Sequence, residues 1–141
     1  MSSIFVDIRR GLEYELSQVT GIPSIAYENV SFDPTTGTSL VRPTFIPTSR
    51  RPAVRGTSPQ QLYTGIFRVD CFVAEGSGPL AGDNLANSII EAFEATTDIT
   101  FNSKTISIDY AEREEGRLSS PWYFIPVTIG WYIYNLSLIH I

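Results

Sequence analysis

The chain has 141 residues, 43% of them hydrophobic and 18% charged, with one cysteine, one histidine and a net charge of −5 at pH 7. These proportions describe a single globular domain with a sizeable core. They exclude a disulfide framework, a cysteine–histidine zinc site and a general duplex-DNA binder, whose affinity rests on lysine and arginine neutralising phosphates. No stretch approaches the ~20 uninterrupted apolar residues of a membrane span. The opening places Asp7, Arg9, Arg10, Glu13 and Glu15 inside an apolar pattern, unlike a signal peptide, so the sequence reads as cytoplasmic.

In chain order, Ile4, Phe5, Ile8, Leu12, Leu16 and Val19 return at helical spacing, which predicts a first helix capped by Ser2 or Ser3 and ended by Gly21 and Pro23. Its charged side, with Arg9 and Glu13 one turn apart, is expected to face out. Residues 24–32 and the run SLVRPTFI read as two strands of a hairpin around Asp33-Pro34-Thr35-Thr36-Gly37. Pro43 removes a ladder donor and marks the second strand as an edge or a bulged strand. Residues 47–60 hold Pro47, Pro52, Pro59, Arg50, Arg51 and Arg55 with no hydrophobic period, and read as a long arm.

From Tyr63 to Val73 the residues alternate: Tyr63, Gly65, Phe67, Val69, Cys71 and Val73 share one side, while Thr64, Arg68 and Asp70 give the other its polarity. Cys71 is therefore expected to be a buried thiol rather than a nucleophile. A helix follows from Asp83, with Leu85, Ala86, Ile89, Ile90 and Phe93 on one stripe and Asp83 or Asn84 as its cap. Ile99–Phe101 and Thr105–Tyr110 predict a short hairpin, and 112–117 a charged loop. Trp122–Tyr134 predicts a long aromatic strand, apolar on both faces and bulged or bent at Pro126 and Gly130.

Gly76-Ser77-Gly78-Pro79-Leu80-Ala81 satisfies G-x-G-x-x-G/A between a strand and a helix. Glu75 would set a carboxylate beside a pyrophosphate and Pro79 removes a backbone donor, so a sharp chain reversal explains the glycines better. A small-molecule or nucleotide site at this turn remains the alternative of a different class. The only histidine, His140, lies near the end, so no Ser/His/Asp set can form. Carboxylates at 112–115 read as a solvated turn rather than an acid/base pair. Neither a cofactor nor an enzymatic activity is expected.

Several stretches together resemble the tail terminator (tail completion) proteins of long-tailed bacteriophages. They are the opening helix around Ile8–Leu16, Ile25-Ala26-Tyr27-Glu28-Asn29 with Phe32, Leu40-Val41-Arg42-Pro43, Gly65-Ile66-Phe67-Arg68-Val69-Asp70 with Gly76-Ser77-Gly78, Ala86–Phe93, and Trp122 with Pro126-Val127-Thr128-Ile129. The resemblance implies an α+β subunit, a mostly antiparallel β-sheet packed against two α-helices with a long extended arm, in one domain over residues 1–135. It further implies a virion structural protein that forms a six-membered ring at the head-proximal end of the tail tube. Such a ring stops tube polymerisation and meets the head-completion proteins, while DNA passes through its lumen without sequence-specific binding. Another head–tail connector or a tube subunit is the nearest alternative. Within this reading Arg50, Arg51 and Arg55 are the expected inter-subunit or tube contacts, with Arg42 supporting the edge strand. Residues 136–141 run past the usual last strand, as an extra strand, a partner-binding segment or a foreign end.

Overall fold

The computed structural model describes residues 4–30, 38–54, 60–76, 78–95, 98–101, 104–119 and 121–136. Among these, α1 (Ile4–Ser17) is followed by β1 (Ser24–Ile25), β2 (Leu40–Val54), β3 (Gln60–Ala74), α2 (Pro79–Ala95), β4 (Asp98–Phe101), β5 (Lys104–Arg113), β6 (Arg117–Ser119) and β7 (Trp122–Leu136). The strands form one sheet in the order β1-β2-β3-β7-β5-β4, with β6 paired to the start of β7. All pairings are antiparallel except β1 with β2. The α+β architecture read from the sequence is the one observed.

Both helices cover the same face. In α1, Ile8, Leu12 and Leu16 fall at four-residue spacing and are fully buried; in α2, Ala86, Ile89 and Phe93, at spacings of three and four, are fully buried too. They meet Phe67, Val69 and Cys71 of β3 and Ile125, Val127 and Ile129 of β7 in one core. Burying each such large apolar side chain contributes roughly 1.5–3 kcal/mol, which is why the alternation of β3 is strict. Cys71 is buried there as expected, and burial pushes its thiol up to about 12.

Several expectations are corrected. The described part of the predicted strand 24–32, residues 24–30, does not pair as a hairpin arm: β1 has two residues and runs parallel to β2, Ser24 opposite Leu40 and Ile25 opposite Val41. Asn29, in the turn that follows, takes a left-handed φ of 56°. Residues 31–37 and the expected caps Ser2 and Ser3 lie outside the described residues. The stretch 47–54 is not an unpaired arm but the continuation of β2, opposite β3 as far as Val54, with register shifts between Pro47 and Ser49 and between Pro52 and Val54. Backbone pairing needs no hydrophobic period, so none was there to be read.

The helix predicted from Asp83 begins at Pro79, a residue suited to the first helical turn because its missing N–H has no intrahelical acceptor. Asp83 therefore sits in the second turn and pairs with Arg113 instead of capping. The bulge expected in the last strand lies in β5, between Ile108 and Tyr110, while β3 and β7 stay in register from Gln60 to Ala74. Gly130 serves packing: a Cβ there would meet Tyr110 Cε1 at 2.1 Å. The hairpin of 99–110 is present as β4 and β5.

The charged side of α1 is not wholly exposed. Asp7 is 1% exposed and its carboxylate lies 2.8 Å from Lys104 Nζ at the start of β5. The pair ties the first turn of α1 to the β4–β5 hairpin.

Candidate assembly surfaces

Among the described residues no group of three or more His, Cys, Asp or Glu is placed to hold a metal, and no helix is long and apolar enough to cross a membrane. At the glycine-rich turn Gly76 and Gly78 take φ of 84° and 83°, conformations that glycine adopts without strain. The adjoining cleft, about 280 Å³, is lined by Ala74, Gly76, Gly78, Pro79, Leu118 and Tyr123, with no cationic side chain to meet a phosphate. β3 is antiparallel to both neighbours, whereas the dinucleotide fingerprint belongs to parallel βαβ units.

The second face of the sheet carries neither helix, and the register lines its residues into rows. At the β6 end, Leu40, Phe72 and Phe124 lie side by side with Ala26 and Trp122 in a small aromatic cluster. Phe72 and Phe124 stack at 5.1 Å, and Trp122 Nε1 donates to Thr38 O at 3.1 Å. The next rows are polar: Arg42 opposite Asp70, then Thr44, Arg68, Thr128 and Glu112 in sequence across β2, β3, β7 and β5. Arg68 Nε donates to Asp70 at 2.9 Å. Further up come Ile46 opposite Ile66, then Tyr132 and Tyr134 packed edge to face. By register Arg42, Arg68 and Arg117 share this face with Asp70, Asp98 and Glu112, three arginines against three carboxylates, so the acidity of the chain resides elsewhere.

The outer edge of β2 is partly closed. Val41 O accepts from Ala26 N, and Phe45 N donates to Glu28 Oε1 at 2.7 Å. The backbone polar groups of Val41 and Phe45 therefore point away from β3 while their side chains stay in the core, and Pro43 between them and Pro47 beyond share their phase but have no N–H to offer. The same Glu28 oxygen accepts from Arg9 Nη1 at 3.0 Å, so α1 holds the carboxylate in place. Arg9 lies closer to Glu28 than to its helix neighbour Glu13, at 3.9 Å. Glu13, half-buried and near Glu28, has its pKa raised, chiefly by desolvation, with Arg9 opposing and Glu28 adding. Nothing in the pattern of residues 24–32 marked Glu28 as an edge cap; its only signal is a lone carboxylate in an apolar extended stretch.

Of the arginines singled out from the sequence, Arg42 lies over the Phe72 ring at 5.1 Å. Arg50 and Arg51 occupy the distal half of β2, opposite Tyr63 and Leu62, and Arg55 lies outside the described residues. Seven residues of β3, roughly 23 Å at strand spacing, separate the partner of Arg42 from that of Arg50. The structure thus does not bring Arg42 into one patch with the distal arginines.

A family model described as phage tail terminator protein matches residues 7–131. A search of curated proteins returned no match. Among solved structures 17 chains match, one of them with a TM-score of 0.66 at 16% identity, covering 98% of this chain and 97% of the other. At that identity the likeness is one of fold.

Proposed function

The chain belongs to the phage tail terminator family, a family of structural tail proteins, and from that premise we propose that it forms a ring closing the head-proximal end of the tail tube. The family match over residues 7–131 carries this reading. In it, copies of the subunit assemble head to tail into a ring of six, one rim stops tube polymerisation and the other receives the head-completion proteins. Heterologous contacts of this kind need two different complementary patches on each subunit. The fold supports this with a long distal hairpin at one side of the sheet and an open strand edge at the other. Arg50, Arg51 and Arg55 serve subunit or tube contacts, and Arg42 steadies the aromatic cluster beside the β2 edge.

Electron microscopy of the purified protein, together with tails made in its absence, tests the reading. Single rings, and tails that overgrow and fail to join heads until the protein is supplied, are expected. Tails of normal length that join heads without it would refute the proposal; long cylinders from the pure protein would make it a tube subunit.

A further inference from the structure

The two outer edges of the sheet are open in different places. Among the described residues, β1 accompanies β2 only at Leu40 and Val41, and Glu28 with Pro43 and Pro47 closes it as far as Pro47, so its open stretch is Ser49–Val54, in which Pro52 alone has no N–H to offer. On the other side, among the described residues, β4 accompanies β5 only from Lys104 to Ser107 and no strand lies outside Ile108–Arg113. β2 and β5 run in opposite directions, because β2 and β7 are each antiparallel to β3, and β5 is antiparallel to β7. Copies set side by side in one orientation therefore bring β2 of one against β5 of the next as an antiparallel pair. The open stretches differ in height by about five residues, an offset that strand tilt supplies in any closed array of strands.

Charge matches the same pair of edges. Residues 40–74 carry Arg42, Arg50, Arg51, Arg55 and Arg68 against Asp70 alone, a net of +4, so the rest of a chain whose total is −5 carries −9. Beside the open edge of β5 lies a groove of about 210 Å³ lined by Phe93, Glu94, Ile108, Asp109, Tyr110 and Ala111. Glu94 and Asp109 line it and are exposed, as are Glu91 on α2 and Glu112 on the helix-free side of β5, and among the described residues none of the four has an ion-pair partner. The last turn of α2 has no basic residue, so Glu91 and Glu94 meet the negative end of the helix dipole.

We propose that the outer edge of β5, with Glu94 and Asp109 beside it, receives the distal half of β2 from a second copy of the chain, the positive charge of the stretch that holds Arg50 and Arg51 matching the negative charge of that edge. The contact rests on the ring reading and adds the receiving surface to it. It is heterologous, the hairpin of each copy engaging the β5 edge of the next.

Two charge-reversed chains test it by sedimentation velocity, with thermal melts to verify folding: one with Arg50→Glu and Arg51→Glu, the other with Glu94→Lys and Asp109→Lys. Each alone is expected to self-associate at least about tenfold more weakly than the parent chain. Mixed in equal amounts they should associate again, because each then offers the edge that the other needs. Assembly that survives both reversals, or a mixture that stays dissociated while the parent forms rings, would overturn this contact and leave the ring reading standing. A parent chain that never self-associates, free or on tubes, defeats both. If the arginine reversal abolishes joining to tubes with self-association unchanged, the arginines belong to the tube contact and the proposal fails.

Discussion

Glu28, Gly65 and Glu13 show how single positions govern the subunit. Gly65 of β3 lies beneath Trp131: a Cβ there would fall 2.3 Å from Trp131 Cζ2 and 2.6 Å from Ile46 O. The indole is itself fixed, stacked at 5.4 Å on Phe45. Gly65→Ala should therefore cost at least about 1–3 kcal/mol of stability, as overpacking does, read from the urea midpoint. Glu13 works in the opposite sense to a paired carboxylate. Its folded-state pKa is raised by burial, so its contribution favours folding below its ordinary value of 4.5 and is lost as pH rises through the raised value. Glu13→Gln should be at least as stable as the parent at pH 7, and the gain should vanish towards pH 4; urea titrations at the two values check both.

At the scale of elements, β2 is the strand whose role depends most on its neighbours. Its inner side is fixed by thirteen register partners on β3, and its outer side by two residues of β1 and one carboxylate. Glu28→Ala would free Phe45 N–H and the Arg9 guanidinium together. Loss of a hydrogen bond to a charged group predicts destabilisation of about 1.5–3 kcal/mol. It also opens a strand edge, so concentration-dependent aggregation should accompany the loss, with faster amide exchange at Phe45 as the local readout. The Asp7–Lys104 pair ties α1 to the β4–β5 hairpin in a comparable way. Lys104→Met takes this counter-charge from a carboxylate that is 1% exposed, so it is expected to cost more than loss of a surface ion pair would.

The whole molecule is electrically polar, with a basic hairpin on one side of the sheet and carboxylates unpaired among the described residues on the other. If those surfaces meet between copies, assembly should weaken steadily as salt rises, since exposed charges are screened within about 8–10 Å at 0.1–0.15 M ionic strength. Light scattering across a salt series measures this; association indifferent to salt would point to an apolar contact instead. The helix-free face of the sheet is close to charge balance in its described part, so a lumen lined by it would be less acidic than the chain as a whole. The acidity of the chain lies instead with the helices and the β5 edge.

The sequence by itself determined both helices, the strands on either side of α2, the buried thiol of Cys71 and the family, because each rests on local periodicity or on an ordered set of short motifs. Alternation in Tyr63–Val73 demands a covered face, and the two amphipathic stretches supply the cover. Only the tertiary structure decided that residues 47–54 are strand, that β1 is parallel to β2, that the bulge lies in β5 and that Asp7 is buried. Those features depend on backbone pairing and on contacts between residues far apart in the chain, which leave no period behind. The same holds for the assembly surfaces: the arginines of the hairpin are plain in the sequence, but that Glu94 and Asp109 stand together beside an open edge follows from the packing of α2 against β5.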